Sequence, residues 1–355
     1  MKSKAEKILF ILLLSCSSCS SVYRFYVDIQ RPAAITLPVS AQNVLILNNT
    51  VSQPEDFGID RTLNRQPVYT NFRISMDSMI WFAIDKVADV LDESDFFNEI
   101  AVYKKPVRAD KDWLSKTVIS PELQSEFYET EKFDALLAID RLLFSVKNDV
   151  TVDQSGIRVL APSSFIDLQV YGLITCSMYS SGNNTPLSTF TVSDSMFVKS
   201  TIWPDSIAYF KDIPERALYT LSRRIAERAA RRFIPTWKRE ERVFYANFNP
   251  LMQEATNFAI KHKWSQAESL WAIELNKKKK PVDKAKIAIN LAVANEMQDK
   301  FEQALFRAQQ AKEYLKNAGK KNVSADIELT DEYIKALLMR IQYNRLLDLQ
   351  WGKNE

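Results

Sequence analysis

Glycine is scarce in this chain: only Gly58, Gly156, Gly172, Gly182, Gly319 and Gly352 occur in 355 residues, each standing alone. A phosphate-cradling loop needs glycines at short fixed spacing, so neither the dinucleotide-binding nor the P-loop signature can be written. Histidine is scarcer still, with His262 alone. Three cysteines and one histidine, two of the cysteines in the amino-terminal serine-cysteine tract, argue against a zinc site built from several such ligands, and they leave little for a Ser-His-Asp or Cys-His enzyme. Charge of one sign is missing as well. The 47 basic and 44 acidic residues give a formal net charge of +3, without the strong basic bias of most nucleic-acid binders. No apolar run reaches the roughly 20 residues that span a bilayer. What is present, 46% hydrophobic and 26% charged residues, is the makeup of a folded chain of about two domains. No metal, cofactor or reaction is indicated.

The amino terminus indicates where the chain resides. Lys2, Lys4 and Lys7 precede the short apolar run Ile8–Leu14, and Ser15, Cys16, Ser17, Ser18 and Cys19 follow. A charged segment, a short hydrophobic segment and a small-residue exit are the parts of an export signal. Leu13-Leu14-Ser15-Cys16 resembles a lipobox, in which a signal peptidase cuts before a cysteine whose sulfur takes diacylglycerol. Cys16 is the expected lipidated residue and Cys19 its alternative, with residues 1–15 as the leader and 16–40 as a lipidated tether. Ser17 stands where aspartate would resemble an inner-membrane retention signal, so the expected place is the outer membrane, facing the periplasm. A Cys19–Cys176 disulfide is conceivable in that compartment, although free thiols are the simpler expectation.

Residues 41–245 read as an α/β domain. Asn43–Asn48 is an apolar run suited to a strand covered on both faces. Met76, Met79, Ile80, Ala83, Val87 and Leu91 recur at helical spacing. Strands are expected at Phe97–Lys104, from Phe133 through Val146, at Ile166–Met178 and at Leu187–Val198. A short helix is expected after Pro121 and a long one from Pro214 to Phe233. Tyr23, Phe25, Tyr26 and Val27 could add an edge strand. The expected fold class is therefore α+β, a mixed sheet with packed helices. In element order it resembles the α/β domain shared by the curli-secretion lipoprotein (CsgG-like) and the amino-terminal domain of TolB.

Beyond Pro250 the composition turns to alanine and charge. Ala255 and Ala292, Trp264 and Phe301, and Ala267 and Ala304 form three pairs at one common offset of 37 residues. That offset is a tetratricopeptide (TPR) period of about 34 with a three-residue insertion. Residues 250–350 are expected as an all-α TPR-like domain, closed by a capping helix with Ile327, Leu329, Ile334, Leu338 and Leu346 on its buried stripe. With the lipobox, Ile234-Pro235-Thr236-Trp237, Arg242 and Tyr245, the whole resembles a family of lipoproteins from Gram-negative gut bacteria. The resemblance implies a fold and a compartment, and no activity.

Candidate chemistry is sparse. His262, between Lys261 and Lys263, reads as a solvated helix-end residue. Asp134 and Asp140 flank an apolar strand and read as its ends. Trp81, Trp203 and Trp237 lie beside core elements and read as packing residues. Arg224, Arg228, Arg231 and Arg232 gather on one side of a helix; a solvent-facing surface explains them, and a contact for anionic lipid or glycan is the functional alternative. The expected function is a non-enzymatic, lipid-anchored interaction or scaffold module of the cell envelope with a protein partner. A self-assembling secretion-type subunit is the alternative, and a carboxylate-pair hydrolase a more distant one.

Overall fold

The computed structural model describes residues 22–59, 62–63, 66–67, 74–149, 164–181, 184–202, 212–246, 249–319 and 324–353. The expected export signal, with Cys16 and Cys19, lies outside them. Two compact units divide the chain: Pro32–Thr236 with residues 349–353, and residues 22–31 with Trp237–Asp348. The architecture is mixed α+β, with a mixed sheet and a helical carboxyl-terminal part.

In the α/β unit, β2 (Asn43–Asn48), β5 (Glu99–Pro106), β6 (Ala135–Asp149), β7 (Ser164–Ser180) and β8 (Ser188–Ile202) form one sheet in the order β5-β2-β6-β7-β8. The ladder is parallel on both sides of β2 and antiparallel from β6 to β8. A two-residue ladder pairs β3 (Thr62–Leu63) with β4 (Gln66–Pro67) after β2. Helices α1 (Met76–Asp92) and α3 (Asp212–Ala230) cover one face, burying Ile80, Ile84, Leu221 and Ile225 against Val44, Ile46, Leu137 and Ile174. On the other face Leu45, Leu47, Leu136 and Tyr179 pack with Phe127, from the π turn Glu126–Thr130 that continues α2 (Pro121–Ser125). Burial on both sides explains why β2 is apolar throughout.

Asp140 is not an end of β6, as the sequence suggested, but a bulge within it. Ile139 pairs with Cys176 and Arg141 with Thr175, leaving Asp140 as the extra residue. One inserted residue flips the period-two pattern, so Leu142, Phe144 and Val146 stay on the helix-covered face after Leu137 and Ile139. Beyond the end of β2, Gln53 serves the exposed edge of β6: Phe144 N–H donates to its Oε1 at 2.8 Å, and its Nε2 donates back to Phe144 O at 3.1 Å. Opposite Phe144, a Cβ on Gly172 would lie 2.8 Å from the ring and 3.1 Å from Leu221 of α3, so glycine there permits the close approach of helix to sheet. Cys176 is a free, fully buried thiol in this core. Helix α3 stops at Ala230, short of the expected Phe233, and residues 231–232 turn towards Pro235.

In the other unit, α4 (Pro250–Ile260), α5 (Trp264–Lys277), α6 (Pro281–Glu296), α7 (Phe301–Asn317) and α8 (Ser324–Gln350) follow one another. Ala255, Ala267, Ala292 and Ala304 are fully buried, and Trp264 and Phe301 nearly so. The 37-residue offset extends to the backbone. The turn from α4 to α5 passes through His262 at φ 56°, and that from α6 to α7 through Asp299 at φ 58°. Lys263 N–H donates to Phe258 O and His262 N–H to Ala259 O, each at 2.9 Å; Lys300 N–H donates to Asn295 O at 2.9 Å and Asp299 N–H to Glu296 O at 3.1 Å. These are two copies of a Schellman helix ending, with residues other than glycine at the left-handed position.

Residues 22–31, where Tyr23, Phe25, Tyr26 and Val27 suggested an edge strand, form β1 (Val22–Arg31), and residues after the long helix form β9 (Thr236–Tyr245). The two make a separate ribbon. Tyr23 stacks on Phe244 at 5.0 Å and Asp28 pairs with Arg239 at 3.0 Å, so the strands run in opposite directions. Relieving the left-handed strain gives a direct check. His262→Gly is expected to raise stability by up to about 1 kcal/mol in chemical denaturation; a loss would contradict this account of the turn.

Candidate functional site

The ribbon is held on the helices by a chain of alternating charges. Arg31 of β1 pairs with Glu240 of β9 at 2.8 Å, and Glu240 with Arg242 at 3.3 Å. Arg242 pairs with Glu296 of α6 at 2.9 Å, and Glu296 with Arg340 of α8 at 3.1 Å. Glu296 is 0% exposed, yet both its oxygens are used: Arg242 donates through Nε and Nη2, Arg340 through Nη1, and Tyr333 through its hydroxyl at 2.8 Å. Arg242 lies over the Tyr333 ring and Arg340 over Phe301. Burial, together with the Glu296 charge, pushes the Tyr333 hydroxyl well above its ordinary pKa, so it stays a donor. A buried carboxylate is tolerable only with this degree of pairing.

Next to the charge chain, an amide reads the ribbon backbone. Asn290 of α6 donates from Nδ2 to Tyr245 O at 2.7 Å and accepts from Tyr245 N–H at 2.7 Å. Phe244 buries its ring beside Phe25, Trp264 and Trp271. β9 thus engages α6 through Glu296 and Asn290, and α5 through Trp264 and Trp271. What stays open is a cavity of about 370 Å³ beside the ribbon, floored by Val22, Val243, Ile289, Leu329 and Ala336 and rimmed by Arg24, Glu241 and Glu332. Leu329 and Leu338, expected on the buried stripe of the capping helix, are 58% and 50% exposed; Leu337 and Leu347 are buried instead. The hydrophobic pattern of α8 runs nearly all round it, so position alone did not show which side was inward.

The expected basic cluster divides. Arg224 pairs with Asp194 of β8 at 2.7 Å and Arg228 with the same carboxylate at 3.4 Å. Arg232 lies 5.0 Å from the Phe190 ring centre, and Arg231 is exposed. His262 is exposed beside Trp264, and Lys278, from the four-lysine run, pairs with the buried Glu274 at 3.0 Å. Asp134 accepts from Asn43 N–H at 2.9 Å and Gln42 N–H at 3.2 Å. Trp81 packs against the α/β core and Trp203 lies outside the described residues, but Trp237 is 68% exposed, contrary to its reading as a packing residue. Among the described residues no group of three or more His, Cys, Asp or Glu side chains could hold a metal, and no helix is long and apolar enough to cross a membrane.

Asp140 is the buried carboxylate of the other unit. It accepts from Asn49 Nδ2 at 2.7 Å and Ser177 Oγ at 2.5 Å, and burial raises its pKa despite both bonds. Among the described residues no second carboxylate meets it in this polar knot. The group is a structural wedge at the bulge. No sequence signal marked Glu296 or Asn290 beforehand. The nearest is the uncharged run from Ile287 to Asn295, which announces a helix buried all round and makes Glu296 conspicuous at its end.

Two outcomes follow from these contacts. Asn290→Ala leaves the Tyr245 backbone groups without partners and is expected to cost about 1–3 kcal/mol in urea unfolding; an unchanged midpoint would contradict the clamp. Because the folded pKa of Asp140 is raised above 3.8, the native state binds a proton that the unfolded chain releases. Its contribution to stability is thus greatest below that value and declines as pH rises through the raised pKa. The stability of the natural chain relative to Asp140→Asn should therefore fall with rising pH across that window; a constant or rising difference would contradict the assignment.

A family model described as "Domain of unknown function (DUF8603)" matches residues 41–245, and one described as "Domain of unknown function (DUF6340)" matches residues 253–339. No curated protein matches the chain. Among solved structures, the PelC dodecamer from Paraburkholderia phytofirmans is 9% identical with a TM-score of 0.22, covering 59% of this chain and 99% of that one. A neuraminyllactose-binding hemagglutinin homolog from Helicobacter pylori is 10% identical with a TM-score of 0.29, covering 55% and 81%. A DUF330 protein of Xanthomonas campestris is 14% identical with a TM-score of 0.25, covering 56% and 90%.

Proposed function

The chain belongs to the family described as "Domain of unknown function (DUF8603)", and from that premise we propose that it is a lipid-anchored, non-enzymatic interaction module of the cell envelope. The anchor is Cys16 in the reading of Leu13-Leu14-Ser15-Cys16 as a lipobox, with Cys19 as its alternative, and the membrane is the outer one on its periplasmic side. The observation that supports binding is the outward apolar surface of α8. A terminal solenoid helix normally turns a polar side outward, whereas here Leu329 is exposed at the 370 Å³ cavity, and Leu338 and Met339 are exposed further along α8. An apolar groove of this kind suits the amphipathic helix or extended segment of a protein partner.

This reading treats α4–α8 as TPR-like helix pairs. β9 occupies α6, the first helix of the second pair, through Arg242 and Tyr245, and the partner surface in this reading lies on α8. A photo-crosslinker at Met339 in living cells is expected to capture one envelope protein, and Leu329→Asp to abolish that adduct. Absence of any reproducible adduct, with fatty-acid labelling at Cys16 intact, would sink the interaction reading. Loss of labelling in neither Cys16→Ala nor Cys19→Ala would sink the anchor.

A second reading, self-assembly through the α/β unit, is favoured by one observation. β8 is an edge strand of the five-stranded sheet, and it exposes Phe197. Unpaired edges template strand addition, and the CsgG- and TolB-like order of elements suits this reading. A ring-sized mass in light scattering would favour it, and a monomer would remove it.

A further inference from the structure

The ribbon has a second face. Phe25 and Ile29 of β1 and Arg242 and Phe244 of β9 turn inward, so alternation turns Arg24, Tyr26 and Asp28 outward together with Glu241, Arg239 and Trp237. Four of these six side chains neutralise one another, Arg24 with Glu241 at 3.1 Å and Asp28 with Arg239 at 3.0 Å. The other two are large aromatics that bury little: Tyr26 is 67% and Trp237 68% exposed. A flat strand face on which a Tyr and a Trp stand among mutually neutralised charges has the composition of a membrane–water interface, where amphipathic rings sit at headgroup depth.

We propose that this outward face of the β1–β9 ribbon rests in the headgroup layer of the membrane that holds the acyl anchor. The inference rests on the lipidation reading above, because the anchor supplies the proximity. Six residue steps separate Cys16 from Val22, and a fully extended chain spans at most about 3.6 Å per residue, so β1 begins within roughly 20 Å of the acylated sulfur. A tether that short gives an effective concentration in the millimolar range. Two aromatic rings, too weak to hold a free protein on a membrane, are then sufficient to keep the face seated. Alternate ion pairs along the strands neutralise charge that would otherwise oppose close approach.

The test uses the acylated full-length protein reconstituted in vesicles of phosphatidylethanolamine and phosphatidylglycerol, with and without lipid brominated near the headgroup end of its chains. Subtracting the emission of Trp237→Phe from that of the natural protein isolates Trp237 from the other six tryptophans. The expected result is at least twofold quenching of the Trp237 signal by brominated lipid, and loss of at least half of that quenching in Tyr26→Ala. A Trp237 signal unchanged by brominated lipid, in protein that floats with the vesicles, overturns the inference and leaves the anchor reading standing. A signal shielded only in native membrane preparations assigns the face to a protein and also overturns it. Failure of the protein to float overturns the anchor and this inference together.

Discussion

The helical unit depends on one carboxylate that has no access to water. Glu296 sits at the end of α6, and two guanidinium groups and a phenol converge on it from β9 and α8. Desolvating that charge is expensive, and removing one partner of such a buried pair typically costs about 3–5 kcal/mol. Its partners therefore cannot be dispensed with singly. Because Arg242 is also tied to Glu240, and Glu240 to Arg31, the constraint passes along alternating charges from an amino-terminal strand to the carboxyl-terminal helix. The order of the ribbon and of the helix pairs follows from satisfying this one group.

That constraint shapes what the helices offer to others. Stacked helix pairs leave a surface along their first helices that commonly receives an extended peptide. In this chain β9 docks on α6, with Asn290 reading the Tyr245 backbone as it would read a ligand's. The surfaces left open are secondary: the apolar side of α8 and the outward side of the ribbon. Both follow from the same event, the capture of an internal strand.

Amide side chains recur where a strand or extended segment lacks a neighbour. Gln53 takes both backbone groups of Phe144, Asn290 those of Tyr245, and Gln350 those of Ala33. Such clamps leave no mark in a sequence, since any Asn or Gln carries the same donors and acceptor. Periodicity, by contrast, made much legible: the apolar run of β2, the stripe of α1, the alternation in β7 and β8, and the 37-residue offset that reappears in two matching helix endings. It misled where packing was not one-sided. The bulge at Asp140 breaks the period of β6, and α8 is apolar on nearly all sides. β9 escaped notice because its inward residues are Glu240, Arg242 and Phe244, and two charges in three do not read as a buried strand face. Charge buried by pairing is invisible until the partners, here 54 residues apart for Arg242 and Glu296, are brought together.

The most direct measurement is a double-mutant cycle on unfolding free energy with Arg242→Met, Glu296→Gln and the two combined. Mutual dependence of these groups predicts a coupling of at least about 2 kcal/mol, with the double variant less destabilised than the sum of the single ones. Additivity within about 0.5 kcal/mol would mean that the carboxylate and the guanidinium act independently, and that something else holds the ribbon to the helices.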